Sequence, residues 1–152
     1  MKIGIMIDAN NLFYTLMKKR NGKLNYAKYL EFCKELGYVN YANVYGVHVR
    51  GQAIDFLTKL KTIGYLPCYM NVNERDKTKI KATVRIVVEA IAHMLDYDTL
   101  ILGSSDKNLI PLLEYLKSQN KKVIILATNI PKTMHTAAHK CIEIPASMLE
   151  KK

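Results

Sequence analysis

The chain has few cysteines and no long apolar run. These two features exclude disulfide-rich proteins, zinc ribbons and membrane-spanning proteins. Its 152 residues contain three cysteines, which are too few, too far apart and odd in number for a disulfide framework or a zinc ribbon. No apolar run approaches the roughly 18 residues of a membrane span. The apolar start, Ile3 to Ile7, is too short for a signal peptide. We therefore expect a cytoplasmic protein with no membrane partner.

Linkers and repeats are also missing. No stretch rich in proline, glycine or serine divides the sequence, and no segment repeats another. A length of 152 residues fits one domain, since domains usually run to about 100–200 residues. We expect residues 1–152 to form a single domain.

Acidic residues are scarce. Asp and Glu number 13 against 23 for Lys and Arg, which gives a formal net charge of +10. Such an excess attracts polyanions and favours nucleic acid as a partner. A surface that only maintains solubility, or one that binds an acidic protein, is the alternative.

Several enzyme motifs are absent. No G-x-G-x-x-G follows the first apolar run, and no G-x-x-x-x-G-K-[ST] occurs, so neither the usual dinucleotide site nor a P-loop is present. His135 and His139 are spaced like zinc ligands on a helix, but no Glu lies between them. A metalloprotease is therefore a poor interpretation.

Short apolar runs alternate with helical patterns along the chain, which is typical of a parallel α/β sheet. The predicted strands are Lys2–Ile7, Asn43–Val49, Tyr65–Val72, Thr99–Leu102, Lys122–Ala127 and Cys141–Ile144. The predicted helices are Asn10–Lys19, Tyr26–Leu36, Ala53–Ile63, Lys79–Leu95, Asp106–Gln119 and His135–Lys140. The sequence thus predicts a three-layer α/β/α Rossmann-like sandwich with a mostly parallel sheet of five or six strands.

The longest predicted helix, Lys79–Leu95, carries one main apolar stripe. Its members recur at helical spacing and are Ile80, Val84, Val87, Val88, Ile91 and Leu95. Glu89 lies on an offset stripe with Arg85 four residues earlier. Spacing alone favours a solvated Glu89 paired with Arg85.

Polar residues follow two of the predicted strands. Asp8 and Asn10 come directly after the first strand, and a loop from Gly103 to Asn108 follows the fourth. Ligands of open parallel sheets bind at the carboxyl ends of strands where the strand order reverses. If the order is 3-2-1-4-5, Asp8 and Asp106 converge there. The alternatives are a helix N-cap for Asp8 and a first-turn residue for Asp106.

Two neighbouring carboxylates in a basic protein repel each other, so they need a cation or a shared proton. Mg²⁺ or Mn²⁺ suits oxygen ligands and leaves coordination positions for water and a phosphate. Such an ion lowers the pKa of water and stabilises charge on a phosphodiester. Ser104 and Ser105 are candidates for positioning a phosphate or water at a helix N-terminus.

Two blocks of sequence resemble NYN domains, which are PIN-like nucleases. Ile5 to Leu12 resembles their first strand and Asp-x-Asn-Leu motif, and Asp96 to Leu112 resembles their second signature. That signature combines an Asp-x-Asp-Thr lead-in, a strand and Ser-Gly-Asp-x-Asp-Phe-x-Pro-Leu. Lys121 to Ile125 is similar to the basic and apolar strand that follows. The resemblance covers most of residues 1–145.

The resemblance implies a PIN-like fold and metal-dependent cleavage of RNA, with acids holding Mg²⁺ or Mn²⁺. Asp8 and Asp106 match ligand positions, Asn10 matches a neighbouring amide, and Glu89 falls where the family has an acid on its central helix. The sequence departs from the family at two positions. Asn108 stands where a second Asp is expected, and Thr83 stands where another Asp is common. The three acids Asp8, Glu89 and Asp106 predict a site for one metal ion more readily than a site for two.

Basic clusters supply a candidate RNA track. One follows the first predicted helix with Lys18, Lys19 and Arg20, and another lies around the start of the long helix with Lys77, Lys79, Lys81 and Arg85. Solvated helix faces or a homodimer surface are alternative roles for them. We expect a ribonuclease acting on single-stranded RNA. The rivals are a catalytically inactive module that binds RNA or protein, and a small-molecule Rossmann enzyme.

Overall fold

A six-stranded parallel sheet forms the centre of the protein. The computed structural model describes residues 1–49, 54–76 and 81–151. The strands are β1 (Lys2–Asp8), β2 (Tyr38–Val49), β3 (Leu66–Val72), β4 (Thr99–Gly103), β5 (Lys122–Ala127) and β6 (Lys140–Glu143). Their order in the sheet is β3-β2-β1-β4-β5-β6 and every pairing is parallel. The predicted Rossmann-like class and the order 3-2-1-4-5 are both confirmed.

Helices flank this sheet. They are α1 (Ala9–Arg20), α2 (Tyr26–Leu36), α3 (Ile54–Ile63), α4 (Thr83–Ala92), α5 (Ile110–Ser118) and α6 (Lys132–Ala137). A short 3-10 turn, Lys107–Leu109, joins the end of β4 to α5. In the described ranges, no helix combines the length and the apolar character needed to cross a bilayer.

Strand register shows which helices cover which face. Gly103 of β4 and Tyr45 of β2 pair with consecutive residues of β1, so they point to opposite faces of the sheet. The Tyr29 hydroxyl of α2 lies so near Gly103 that a Cβ there would be 2.8 Å from it. On the other face, Glu89 of α4 accepts a hydrogen bond from Tyr45. Helices α2 and α4 therefore form opposite outer layers.

Burial explains why β1 occupies the centre. From Ile3 to Asp8 the strand is buried on both faces, as expected for a parallel strand with helices on both sides. Gly4 is needed within it, because a Cβ there would come 2.7 Å from the ring of Tyr41. Side chains of β1, β4 and β5 make up about a third of the buried core, and residues of the helices and of the other strands supply the rest.

Several predicted boundaries differ from the structure. Helix α5 begins at Ile110 instead of Asp106, because Lys107–Leu109 form a 3-10 turn. Strand β2 begins at Tyr38 instead of Asn43, since its first residues pair with the start of β1. The last helix covers Lys132–Ala137 and not His135–Lys140. The backbone N–H of His139 donates to Val123, and this bond extends the chain into β6.

The predicted orientation of the long helix is also wrong. Residues 79 and 80 lie outside the described part, and α4 is described from Thr83 to Ala92. Val84 and Leu95 of the expected apolar stripe are 73% and 87% exposed, whereas Ile86 and Ala90 are fully buried. The offset stripe faces the sheet, since Ala82, Ile86 and Ala90 are buried and Glu89 accepts a hydrogen bond from Tyr45 of β2.

Candidate functional site

Strand order places two acidic loops side by side. Strands β1 and β4 are neighbours in parallel register up to Ile7 and Gly103, and the chain reverses its direction of propagation across the sheet between them. Asp8 ends β1, and the segment from Ser104 to Asp106 follows β4. This is the strand-order reversal at which ligands bind in such folds.

Asp8 is a buried carboxylate at this edge. Its exposed fraction is 6%. Its Oδ1 accepts a hydrogen bond of 3.2 Å from the backbone N–H of Asn11, so Asp8 is the N-cap of α1. Desolvation raises the pKa of Asp8 to about 6, and the nearby charge of Asp106 contributes to the increase. The hydrogen bond from Asn11 and the charge of Lys81 act in the opposite direction. Asp8 is thus both the predicted helix cap and a perturbed acid.

Asp106 is held by three neighbours. Its Oδ1 accepts from the backbone N–H of Asn108 at 2.9 Å, and its Oδ2 accepts from the hydroxyl of Thr83 at 3.1 Å. The backbone N–H of Asp106 donates to Oγ of Ser104. The two positions at which the sequence departs from the NYN pattern therefore both contact Asp106. Thr83 does so from the start of α4, and Asn108 does so through its backbone.

Asn11 joins the two loops, and sequence analysis missed it. Its Oδ1 accepts hydrogen bonds from the backbone N–H of Ser105 at 3.0 Å and from the Ser105 hydroxyl at 3.3 Å. The Asp-x-Asn-Leu motif could have indicated Asn11. In that motif the Asn directly precedes the Leu, and the residue that directly precedes Leu12 in this chain is Asn11. Ser105, which was predicted to contact a phosphate or water after β4, is thus hydrogen-bonded to the segment that follows β1.

Asn10 lies at the site but its amide contacts β2. Its Oδ1 accepts from the backbone N–H of Val47 at 2.8 Å, and its Nδ2 donates to the carbonyl oxygen of Val47 at 3.4 Å. This pair of bonds fixes the start of α1 against the neighbouring strand. The observed contacts of Asn10 are structural.

Glu89 is not gathered with the two aspartates. Its Oε2 accepts from Nε of Arg85 at 2.6 Å, and its Oε1 accepts from the hydroxyl of Tyr45 at 2.7 Å. Partial burial opposes ionisation of Glu89, but the hydrogen bonds from Arg85 and Tyr45 hold its pKa below the ordinary value. The Tyr45 hydroxyl also accepts from Asn43. This network links α4 to β2.

The predicted basic residues fall into three groups. Lys81 is exposed and close enough to lower the pKa of Asp8. Lys19 lies 3.8 Å from Glu143, and Arg20 donates to the carbonyl oxygen of Ile144. Lys18 is exposed beside them at the end of α1. Lys77 and Lys79 lie outside the described residues.

Oxygen donors dominate the site. The hydroxyl groups of Thr83 and Ser104 contact Asp106, and hydroxyl and carboxylate oxygens are hard ligands. In residues 1–49, 54–76 and 81–151, no three Asp, Glu, His or Cys side chains lie together as ligands of one metal ion would. The donor set fits Mg²⁺ or Mn²⁺ better than a softer metal, but it has two carboxylates where three were predicted.

Comparison with known proteins identifies the family. The NYN domain profile matches residues 2–145, nearly the whole chain. A comparison with curated proteins gave no match. A solved protein of unknown function from Vibrio parahaemolyticus has a similar fold, with a TM-score of 0.88 and 23% sequence identity. The similarity covers 98% of this chain and 96% of the Vibrio chain. This protein therefore belongs to the NYN domain family and has its PIN-like nuclease fold.

Proposed function

We propose that this protein is a metal-dependent ribonuclease whose site is formed by Asp8 and Asp106. The observation that carries the proposal is the convergence of these two carboxylates at the strand-order reversal, where the charge of Asp106 raises the pKa of the buried Asp8. Family membership supports the same reaction class. Phosphodiester hydrolysis of single-stranded RNA is the reaction that these features favour.

Asp8 and Asp106 would hold one Mg²⁺ or Mn²⁺ ion. When bound, such an ion lowers the pKa of a water molecule and stabilises negative charge on a phosphodiester. One ion is proposed because Glu89 is bound to Arg85 and Tyr45 instead of joining the two aspartates.

The surrounding groups orient the carboxylates. Thr83 and the backbone of Asn108 each donate to one oxygen of Asp106, which limits its rotation. Asn11 donates to Asp8 through its backbone and holds Ser105 through its side chain. Outer partners of this kind fix the orientation of metal ligands.

Substrate attraction falls to the basic residues at the same edge. Lys81 lies within electrostatic range of Asp8, and Lys19 and Arg20 contact the chain just at and beyond the end of β6. Phosphate groups of RNA are attracted to such a field without sequence preference. We expect the substrate to cross the carboxyl edge of the sheet.

The test compares cleavage and binding in matched variants. Labelled single-stranded RNA is incubated with the wild type, Asp8→Asn and Asp106→Asn in Mn²⁺, Mg²⁺ or EDTA. We expect products only with the wild type and a metal ion, while the variants still bind RNA. Asp55→Asn on α3, an exposed residue, is the control and should cleave normally. Equal cleavage by all four proteins would contradict the proposal.

A catalytically inactive RNA-binding module is the second candidate. The observation that favours it is the absence, in the described part of the chain, of a third acid beside Asp8 and Asp106. This candidate predicts RNA binding by the wild type with no metal-dependent product in the same assay. A cytoplasmic location and a homodimer stay predictions, and light scattering of the purified protein tests the second.

A further inference from the structure

A cavity lined by basic residues lies at the edge of the sheet opposite to that of Asp8 and Asp106. It has a volume of about 370 Å³ and lies among the end of α5, the start of β5 and the end of α6. Lys122 begins β5, so this cavity is at the amino ends of the parallel strands. Asp8 and Asp106 lie beyond the carboxyl ends. The cavity is separate from the site described above.

Three lysines border this cavity, and no acidic residue of the described part of the chain borders it. Its lining includes Lys117, Lys121, Lys122 and His139, and none of its described lining residues is Asp or Glu. Among the described residues, neither Lys117 nor Lys122 lies within ion-pair distance of a carboxylate. Neighbouring like charges repel each other, and an anion between them relieves that repulsion.

Apart from the polar Asn120, the rest of the lining is apolar. Leu113 and Val123 form buried parts of the wall, and the end of α6 contributes two alanines. A concave site with apolar walls and a few convergent polar groups is the usual form of a small-ligand site, and its volume falls within the common range of about 300–1,000 Å³. This combination suits a ligand with one apolar, ring-containing part and one anionic part.

A second cavity lies beside the first along α5. It measures about 540 Å³, lies between α5 and α6, and shares Lys117 with the basic cavity. Its other end is at Ile110, the first residue of α5 and two residues after Asn108. Ile110 and Lys117 are seven helical residues apart, about 10 Å. The two cavities therefore lie next to each other along α5, and one acidic residue, Glu114, lines the second.

We propose that the basic cavity binds a phosphate-bearing ribonucleotide unit, either as a free nucleotide or within an RNA strand. Lys117 and Lys122 contact the phosphate, and the apolar wall contacts the base and ribose. Lys121 has a structural role beside them, because its ammonium donates to the carbonyl oxygen of Tyr97 at 2.8 Å. The proposal does not require that Asp8 and Asp106 be catalytic.

The experiment measures binding of AMP and of short single-stranded RNA in EDTA. The double variant Lys117→Gln/Lys122→Gln is compared with Lys28→Gln/Lys34→Gln, which removes the same charge from exposed positions of α2. We expect the cavity variant to weaken binding of AMP, RNA or both about ten-fold, and the control to have little effect. Adenosine, which lacks phosphate, should bind far more weakly than AMP.

Each arm of the experiment has a clear result. AMP binding with amide chemical shift changes at Val123, Ala137 and Ala138 indicates a free-nucleotide site, and a loss confined to RNA indicates a path for a strand. Equal weakening by the cavity and control variants, or no binding of either ligand, would overturn the proposal. Asp8→Asn/Asp106→Asn should leave cavity binding unchanged, which separates this proposal from that of ribonuclease activity. Thermal unfolding of every variant verifies that it folds.

Discussion

At the residue scale, the candidate site keeps two acids in unlike environments. Asp8 is buried and its pKa is raised to about 6, mainly by desolvation. Asp106 is partly exposed and accepts hydrogen bonds on both carboxylate oxygens. A buried carboxylate without a compensating cation reduces the stability of the fold. Such a cost is common at functional sites.

Asp8→Asn should stabilise the protein at neutral pH in EDTA. The pKa of Asp8 rises from 3.8 to about 6 on folding, so ionised Asp8 destabilises the native state by up to about 3 kcal/mol above pH 6. Asn at position 8 can still accept the hydrogen bond that caps α1.

The measurement is urea unfolding of both proteins from pH 3.5 to 8. Because the folded pKa is above the unfolded value, the difference in unfolding free energy should shrink as pH falls through 6 and disappear below about pH 4. A constant difference across this range would show that the pKa of Asp8 is the same in the folded and unfolded states.

Thr83 tests whether the second departure from the family pattern is functional. Thr83→Val removes the hydroxyl that donates to Asp106 but keeps the shape of the side chain. Loss of an outer partner of a metal ligand costs about 10–100-fold in metal affinity or activity, and we expect that loss here for Mn²⁺. Thr83→Ser should restore most of it.

The control for Thr83 is Glu89→Gln. Glu89 binds Arg85 and Tyr45 and does not join the aspartates, so this change should leave Mn²⁺ affinity unaltered while lowering thermal stability. Titration of Mn²⁺ into each variant by calorimetry measures the affinities. An equal loss of Mn²⁺ affinity in Glu89→Gln and Thr83→Val would indicate that Glu89 does contribute to metal binding.

At the element scale, α4 shows where an apolar pattern misleads. Its most regular apolar stripe is exposed, with Val88 at 59% exposure, whereas Ile86 is fully buried. Periodicity reports which residues share a face but not which face meets the sheet. The choice depends here on the contact of Glu89 with Tyr45, a long-range contact that helical spacing does not contain.

Substitutions on the two faces of α4 should therefore have unequal effects. Ile86→Ala removes a fully buried side chain, so we expect a loss of about 2–5 kcal/mol in unfolding free energy. Val88→Ala removes mostly exposed methyl groups and should change stability by less than about 0.5 kcal/mol. Urea unfolding at pH 7 measures both. The reverse ranking would show that the other stripe faces the sheet.

The remaining elements were easier to predict, because their signals are local. The boundaries of α2 and β5 match the prediction residue for residue. The capping residue Asn25 directly precedes α2, and β5 is a continuous apolar run after Lys122. Asp8 and Asp106 were predictable for the same reason, since Asp8 ends a buried strand and Asp106 lies in the short loop after another. The link from Asn11 to Ser105 joins residues 94 positions apart. The sequence contains no local signal for that distance.

At the scale of the whole molecule, the charge of +10 is distributed over both edges of the sheet. Lys81, Lys19 and Arg20 lie at the carboxyl edge, and the lysines of the basic cavity lie at the amino edge. The charge of Lys81 lowers the pKa of Asp8, and we propose that the same charge attracts phosphate.

Salt dependence distinguishes a localised RNA track from general attraction. Binding of single-stranded RNA is measured in EDTA over a range of salt concentrations, and the logarithm of affinity is plotted against that of salt. Each phosphate contact on a single strand contributes about 0.7 to the slope, so Lys81→Gln should lower its magnitude by about that amount. Lys28→Gln, on the exposed surface of α2, should leave the slope unchanged. If both variants lower it equally, RNA is held by the overall charge and the carboxyl edge has no defined track, because a defined track requires Lys81 to contact one phosphate that Lys28 does not.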